Sequence, residues 1–227
     1  MKNLFIGLFI TIFALTSCSK LDNYDEPKET LSGKLIDVVT GEPLISEQPN
    51  GYRIRLLETS WGEGVQPEYF WGKADGTFFN KRIFKGTYEV TPVEGAFFDV
   101  EPQTVKIKGK VEVNFDVIPF LHVNVQNITR NGTEATVTYK ISRHKAGPKI
   151  IDTRVFVDRN PNVGFSIMDG NLSTMEDLSQ MKDEDALAKT YVHTIKGLNA
   201  DKKYYIKVGA RVDYGSKRYN FAKTVEI

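Results

Sequence analysis

The sequence predicts an all-β protein of two tandem β-sandwich domains, the second carrying a long, partly helical insertion. Three observations carry that prediction. Apolar residues recur with period two in short runs, as half-buried strands require. Glycine, proline and Asp-Gly pairs punctuate the runs at short intervals. The length of 227 residues fits one or two domains of roughly 100–200 residues each.

The N-terminal segment stands apart from this pattern. Lys2 precedes a mostly apolar stretch from Leu4 to Leu15, short of the about 20 residues a membrane-spanning helix needs. Residues 1–17 therefore read as a signal peptide. The stretch ends Leu15-Thr16-Ser17-Cys18, which resembles a bacterial lipobox. That resemblance implies cleavage before Cys18, diacylglycerol on its sulfur and acylation of its new amine. The alternative is an ordinary signal peptide with an incidental cysteine. Several acyl chains, at about 0.8 kcal/mol per buried CH₂, would anchor the chain stably in a membrane.

Residues 18–30 then read as the lipidated cysteine and a flexible tether, polar and broken by Pro27. Asp22, Asp25 and Glu26 resemble the surface-export signal of Bacteroidetes lipoproteins, diluted by Lys20, and Ser19 fits outer-membrane sorting. The expected location is the outer membrane, lipid-anchored and facing the cell exterior. A merely soluble tether is the alternative.

Residues 31–118 form the first predicted sandwich, with about seven short strands and no helical periodicity. Strands are expected at 31–39, 52–59 and 68–73, and from Gly86 toward Val93. Thr40-Gly41-Glu42-Pro43 reads as a turn. Asp75-Gly76 reads as a hairpin turn, because glycine reaches positive φ without steric cost. Gly109-Lys110 reads as a second hairpin between Val105-Ile107 and the run Val111 to Val117. Gly33 to Asp37 with Thr40 to Leu44, then Asp75-Gly76-Thr77-Phe78, then Gly86-Thr87-Tyr88, resemble the ordered signatures of carboxypeptidase-regulatory-like domains. The resemblance implies a transthyretin-like sandwich that serves as an accessory module. The segment Glu58–Phe70 is longer than that family's usual strand connection.

After Pro119 and Phe120, residues 120–227 form the second predicted sandwich. Strands are expected at 121–125, 134–142, 152–157 and 191–195. In Glu134–Ser142, Ala135, Val137, Tyr139 and Ile141 share one face. Leu198, Tyr204, Ile206, Val208 and Ala210 resemble the tyrosine-corner strand of fibronectin type III domains, in which the phenol bonds nearby backbone. The insertion near 158–190 is too long for a standard connection. Ser173 and Glu176 make a capping-box pattern with Met175, Leu178 and Met181 as a stripe, so one or two small helices are expected there.

Few residues are suited to catalysis. The three histidines are His122, His144 and His193, and the first and last fall inside predicted strands. There is no Gly-x-Ser-x-Gly elbow, His-x-x-x-His pair or Gly-rich phosphate loop. Cys18 is the single cysteine, which excludes an intramolecular disulfide framework and an all-cysteine metal cage. The oxygen-rich run Asp158 to Asn162 has Val163 where an EF-hand needs glycine, so it reads as a turn. Asp183-Glu184-Asp185 reads as a solvated face or a helix start. No catalytic residue, metal or cofactor is expected. The formal net charge of +1 also argues against a nucleic-acid partner.

The most suggestive cluster is Trp61, Tyr69, Phe70 and Trp71, which holds both tryptophans of the protein. Sugar C–H faces pack on flat aromatic rings while nearby polar groups take the hydroxyls. Trp61, Tyr69 and Trp71 are therefore the ligand-binding candidates. On the expected strand, either Phe70 or the Tyr69/Trp71 pair must point inward. A lipobox followed by these two domains resembles a family of Bacteroidetes lipoproteins associated with SusC/SusD-type glycan-import systems. The resemblance implies a non-catalytic surface lipoprotein that binds glycan or assists such an import complex. The alternative is a structural or adhesive module that binds protein partners.

Overall fold

Alternation becomes burial along the first strand, β1 (Glu29–Asp37), whose odd-numbered residues are all buried. The computed structural model describes residues 25–62 and 64–227; Cys18, the signal peptide and tether residues 19–24 lie outside the described residues. The next strands are β2 (Arg53–Glu58), β3 (Glu68–Trp71), β4 (Thr77–Ile83), β5 (Gly86–Val93), β6 (Gln103–Ile107), β7 (Lys110–Glu112) and β8 (Phe115–Val117). They form two sheets. One has the order β4-β1-β7 with β8 also on β1, and the other is β3-β2-β5-β6. Leu31, Leu35, Ile54, Leu56, Phe78, Val90, Ile107 and Phe115 fill the space between the sheets.

Both turns expected to make hairpins exist, but neither joins paired strands. At Asp75-Gly76, φ of Gly76 is +77°, and the Asp75 carboxylate accepts the Thr77 N–H at 3.0 Å. Yet β3 pairs with β2 while β4 pairs with β1, so the chain crosses between sheets here. Gly109 likewise has φ +76°, but β6 pairs with β5 and β7 runs parallel to β1. Local turn chemistry bends the chain but does not decide which sheet each strand joins.

The second half comprises β9 (His122–Asn131), β10 (Glu134–Ser142), β11 (Ile150–Asp158), β12 (Thr174–Asp177), α1 (Asp183–Ala188), β13 (Thr190–Lys196), β14 (Tyr205–Val212), β15 (Tyr219–Phe221) and β16 (Val225–Glu226). Its sheets are β13-β10-β9 and β12-β11-β14-β15, with β16 on β14. Ala135, Val137, Tyr139 and Ile141 are all buried, as their spacing predicts. The Tyr204 hydroxyl accepts the Asn199 N–H at 3.2 Å.

The insertion differs from expectation. The stretch expected to be helical from Ser173 is instead the edge strand β12, paired with β11. Ser173 Oγ accepts the Val157 N–H at 3.0 Å rather than capping a helix. A single turn of helix, α1, follows, opened by Asp183, Glu184 and Asp185. Earlier in the insertion, just after β11, the Asp158 and Asn160 side chains accept the N–H groups of Asn160 and Asn162 at 2.8 and 2.9 Å, making successive turns.

The two halves meet through a built joint. Strand β14 is buried on both faces; Ile45 of the first half packs with Phe156, Val163, Tyr219 and Phe221 on its outer side. Asn220 Nδ2 donates to the Ala96 carbonyl at 2.7 Å, and its Oδ1 accepts the Leu121 N–H at 3.0 Å. Lys207 is 4% exposed and donates to the Ser46 carbonyl, beside the equally buried Glu47. Phe120 packs edge-on against Phe98 and Tyr214. All sixteen strands among the described residues lie within 29–226, so a chain starting at residue 19 retains every one of these.

Candidate functional site

The buried Glu58 at the end of β2 organises the loop that carries Trp61. Its carboxylate accepts the N–H groups of Ser60 and Trp61 at 2.9 and 2.8 Å, together with the Ser60 hydroxyl. Ser60 Oγ in turn accepts the Thr87 N–H at 3.2 Å. The loop base is therefore tied to the start of β5 before the chain reaches Gly62 and Gly64, both at positive φ.

Trp61 itself projects outward and is 55% exposed. Its ring meets Phe84 edge-on, with centres 5.7 Å apart. Phe84 is held from the core by the Tyr88 hydroxyl, which donates to its carbonyl at 2.9 Å. Burial pushes the Tyr88 phenol up to about 12, so it stays protonated as that donor. Trp61 and Phe84 line one side of a groove of about 630 Å³, with Asp25, Glu26, Lys85 and Lys108 around it. The groove lies at the end of the first sandwich where the chain enters β1. Its charged side chains can donate to and accept from hydroxyl groups beside an exposed ring, the arrangement that sugar stacking needs.

Tyr69 and Trp71 occupy a different place. On β3, Phe70 turns toward the core, and Tyr69 and Trp71 point outward with 43% and 40% exposure. Trp71 pairs with Arg53, the first residue of β2, whereas Trp61 follows the last. At about 3.4 Å per residue, some 17 Å of strand separates those levels. The structure thus splits the sequence cluster into two surfaces.

Tyr69 and Trp71 are also not bare platforms. The Arg53 guanidinium lies 4.4 Å from the Tyr69 ring centre and 5.6 Å from that of Trp71. Arg218, from the second half, lies 5.6 Å from the Trp71 ring. Glu94 holds Arg53 through a two-pronged ion pair, which keeps its guanidinium protonated. Neither arginine is apparent from sequence as part of an aromatic site, because Arg53 reads as one half of a strand alternation and Arg218 arrives through the domain joint.

A larger groove, about 690 Å³, opens between the two halves and holds Val39, Thr40, His122, Asn124, His144 and Lys223. His122 Nε2 lies 2.7 Å from the Asp37 carboxylate. No sequence signal marks it, since its walls come from separate halves. His193 is stacked on Tyr139 with ring centres 5.8 Å apart, and burial lowers its pKa. Among the described residues, no cluster of three or more His, Cys, Asp and Glu could hold a metal ion.

Residues 29–118 match the model of the protein of unknown function (DUF3823) N-terminal domain, over nearly the stretch likened above to a carboxypeptidase-regulatory-like domain. The chain is similar over 88% of its length to a DUF3823 family protein from Bacteroides uniformis ATCC 8492, at 26% identity and a TM-score of 0.81, with 99% of that chain covered. It is equally similar in sequence to a second protein of that organism, described as a "putative carbohydrate binding protein", with a TM-score of 0.74 and the same coverage. A DUF3823 family protein from Parabacteroides merdae ATCC 43184 shares the fold at 18% identity and a TM-score of 0.71, with 89% and 100% covered. Among curated proteins, none matches the sequence.

Proposed function

We propose that this protein is a non-catalytic, lipid-anchored carbohydrate-binding protein of the cell surface, and that its Trp61 groove engages the glycan. The observation that carries the proposal is the exposed, pre-positioned Trp61 ring beside Asp25, Glu26, Lys85 and Lys108. Fixing the ring through Glu58 and Phe84 before a ligand arrives limits the ordering cost of binding. The relative whose description names carbohydrate binding gives further support.

Location follows from Cys18. A lipid there would sit seven residues before Asp25, and an extended chain of that length reaches about 25 Å at most. The groove would then work close to the membrane, where it could pass glycan to an outer-membrane import complex of the SusC/SusD type.

The test is affinity electrophoresis of residues 19–227 through gels containing a panel of polysaccharides, with Trp61→Ala alongside. Retardation of the native protein by at least one glycan, lost in Trp61→Ala, is the expected result. Normal migration of the native, folded protein in every gel would overturn the glycan reading and leave a module that binds protein partners.

A further inference from the structure

The second aromatic surface has its own chemistry. On the outer face of β3-β2-β5, two rows run across the strands. Trp71, Arg53 and Val93 form one; Tyr69, Arg55 and Thr91 form the other. Arg53 spans both rings, and Arg218 reaches Trp71 from the second half. A ring beneath a guanidinium is poorly placed to take a sugar face. It is well placed to hold that guanidinium still, since the ring quadrupole attracts the cation.

Unsatisfied hydrogen-bonding groups point the same way. Thr91 is only 7% exposed, yet its Oγ1 has no hydrogen-bond partner among the described residues. Arg218 Nε is likewise buried and unpartnered. Buried polar atoms without partners are uncommon, because each costs about 1–3 kcal/mol. Arg53 is neutralised by Glu94, but no carboxylate among the described residues forms an ion pair with Arg55 or Arg218. Glu47 lies behind Arg218 and attracts it, although burial raises the pKa of that carboxyl. A pocket of about 310 Å³ opens beside Thr91, lined also by Val93, Glu94, Asp99 and Tyr214 but by neither Arg55 nor Arg218; the Tyr214 hydroxyl donates to the Asp99 carboxylate at 3.2 Å.

We propose that this face binds an acidic polysaccharide, with Arg55 and Arg218 taking the carboxylate or sulfate of its sugar units and Thr91 a hydroxyl. This deepens the carbohydrate reading above and rests on it. Tyr69 and Trp71 act as struts that orient the guanidinium groups. A planar guanidinium offers paired N–H donors that match the oxygens of a carboxylate or sulfate, which a lysine cannot reproduce. The two rows lie about 7 Å apart, two residues along a strand. A polymer with an anion on successive units meets both rows at once, and linkage strengthens the combined binding.

The experiment runs residues 19–227 through gels of a neutral glucan, polygalacturonate, a sulfated galactan and polyglutamate. Arg55→Gln/Arg218→Gln, Thr91→Val and Trp61→Ala run alongside, with thermal melts confirming each fold. Retardation by polygalacturonate or the sulfated galactan is expected, and which gel acts distinguishes carboxylate from sulfate. The double arginine variant should lose at least tenfold in affinity there, and Thr91→Val several-fold without loss of stability. Retardation by the neutral glucan alone would overturn this inference and leave the carbohydrate reading standing. Retardation by every polyanion equally, polyglutamate included, or an unaffected double variant, would overturn it as well. Normal migration in all four gels would remove this inference, and in the wider panel above the carbohydrate reading too.

Discussion

The two ends of the first sandwich carry similar residues and do different work. At the joint end, Ile45, Glu47 and Asp37 face the second half, and polar atoms are matched across the boundary: Asn220 to Ala96, Lys207 to Ser46, His122 to Asp37. At the other end, Trp61, Phe84 and their charged neighbours face solvent. The difference teaches that aromatic and charged residues become structural when another surface completes them. Where no surface does, they remain available to a ligand. Substitutions at the joint should therefore cost stability, and substitutions at the open end should cost binding alone.

The largest effect is expected at Phe156, fully buried beneath the joint and in contact with Tyr219 and Phe221. Phe156→Ala should lower the unfolding free energy by about 3–5 kcal/mol, through lost burial and a cavity. Urea denaturation measures this, and a loss below about 1 kcal/mol would mean that the joint contributes little. Asn220→Ala comes next. It leaves a buried N–H and a buried carbonyl unpaired, at about 2–4 kcal/mol together, read from the same denaturation curves.

Lys207 gives the comparison a pH dependence. Burial lowers its pKa from 10.5 to about 8, with Glu47 opposing the shift. Between those values the unfolded chain binds more protons than the folded one, so this group makes stability rise with pH. The cost is present in full below pH 8 and relieved above 10.5. From pH 7.5 to 9.5, the native protein should gain roughly 2 kcal/mol relative to Lys207→Met. A difference that stays constant between those pH values would show that the Lys207 charge is not penalised at the joint.

Much of the fold was legible because alternation reports local burial. The bounds that the pattern predicts for Glu134–Ser142, and for the strand from Gly86 toward Val93, are the observed ones. What stayed hidden is pairing over distance. Asp75-Gly76 is a sound turn, but nothing local says that Thr77 joins β1 rather than β3. The capping-box pattern at Ser173 failed for a related reason, since the open edge of β11 captured Thr174–Asp177 as a strand. Tertiary pairing there outweighs a local helix signal. Of the candidate ligand residues, exposure of Tyr69 and Trp71 was one of two alternatives that alternation left open. The arginines over their rings could not be read, because Arg218 lies 147 positions from Trp71 in sequence and meets it only once the joint forms.

The smallest stability change, and the sharpest contrast with Phe156, is expected for Trp61→Ala. The ring is 55% exposed and, among the described residues, its one aromatic contact is edge-on to Phe84, so its removal should change the unfolding free energy by less than about 0.5 kcal/mol. The backbone N–H of residue 61 still donates to Glu58 in the variant, which keeps the loop base in place. Glycan retardation should nevertheless disappear. A variant that loses more than about 1 kcal/mol would make Trp61 a structural residue, completed by Phe84 as the joint residues are completed by the second half. Binding lost with stability unchanged would assign the open end to a ligand, because no internal contact would then account for keeping so large a ring in water.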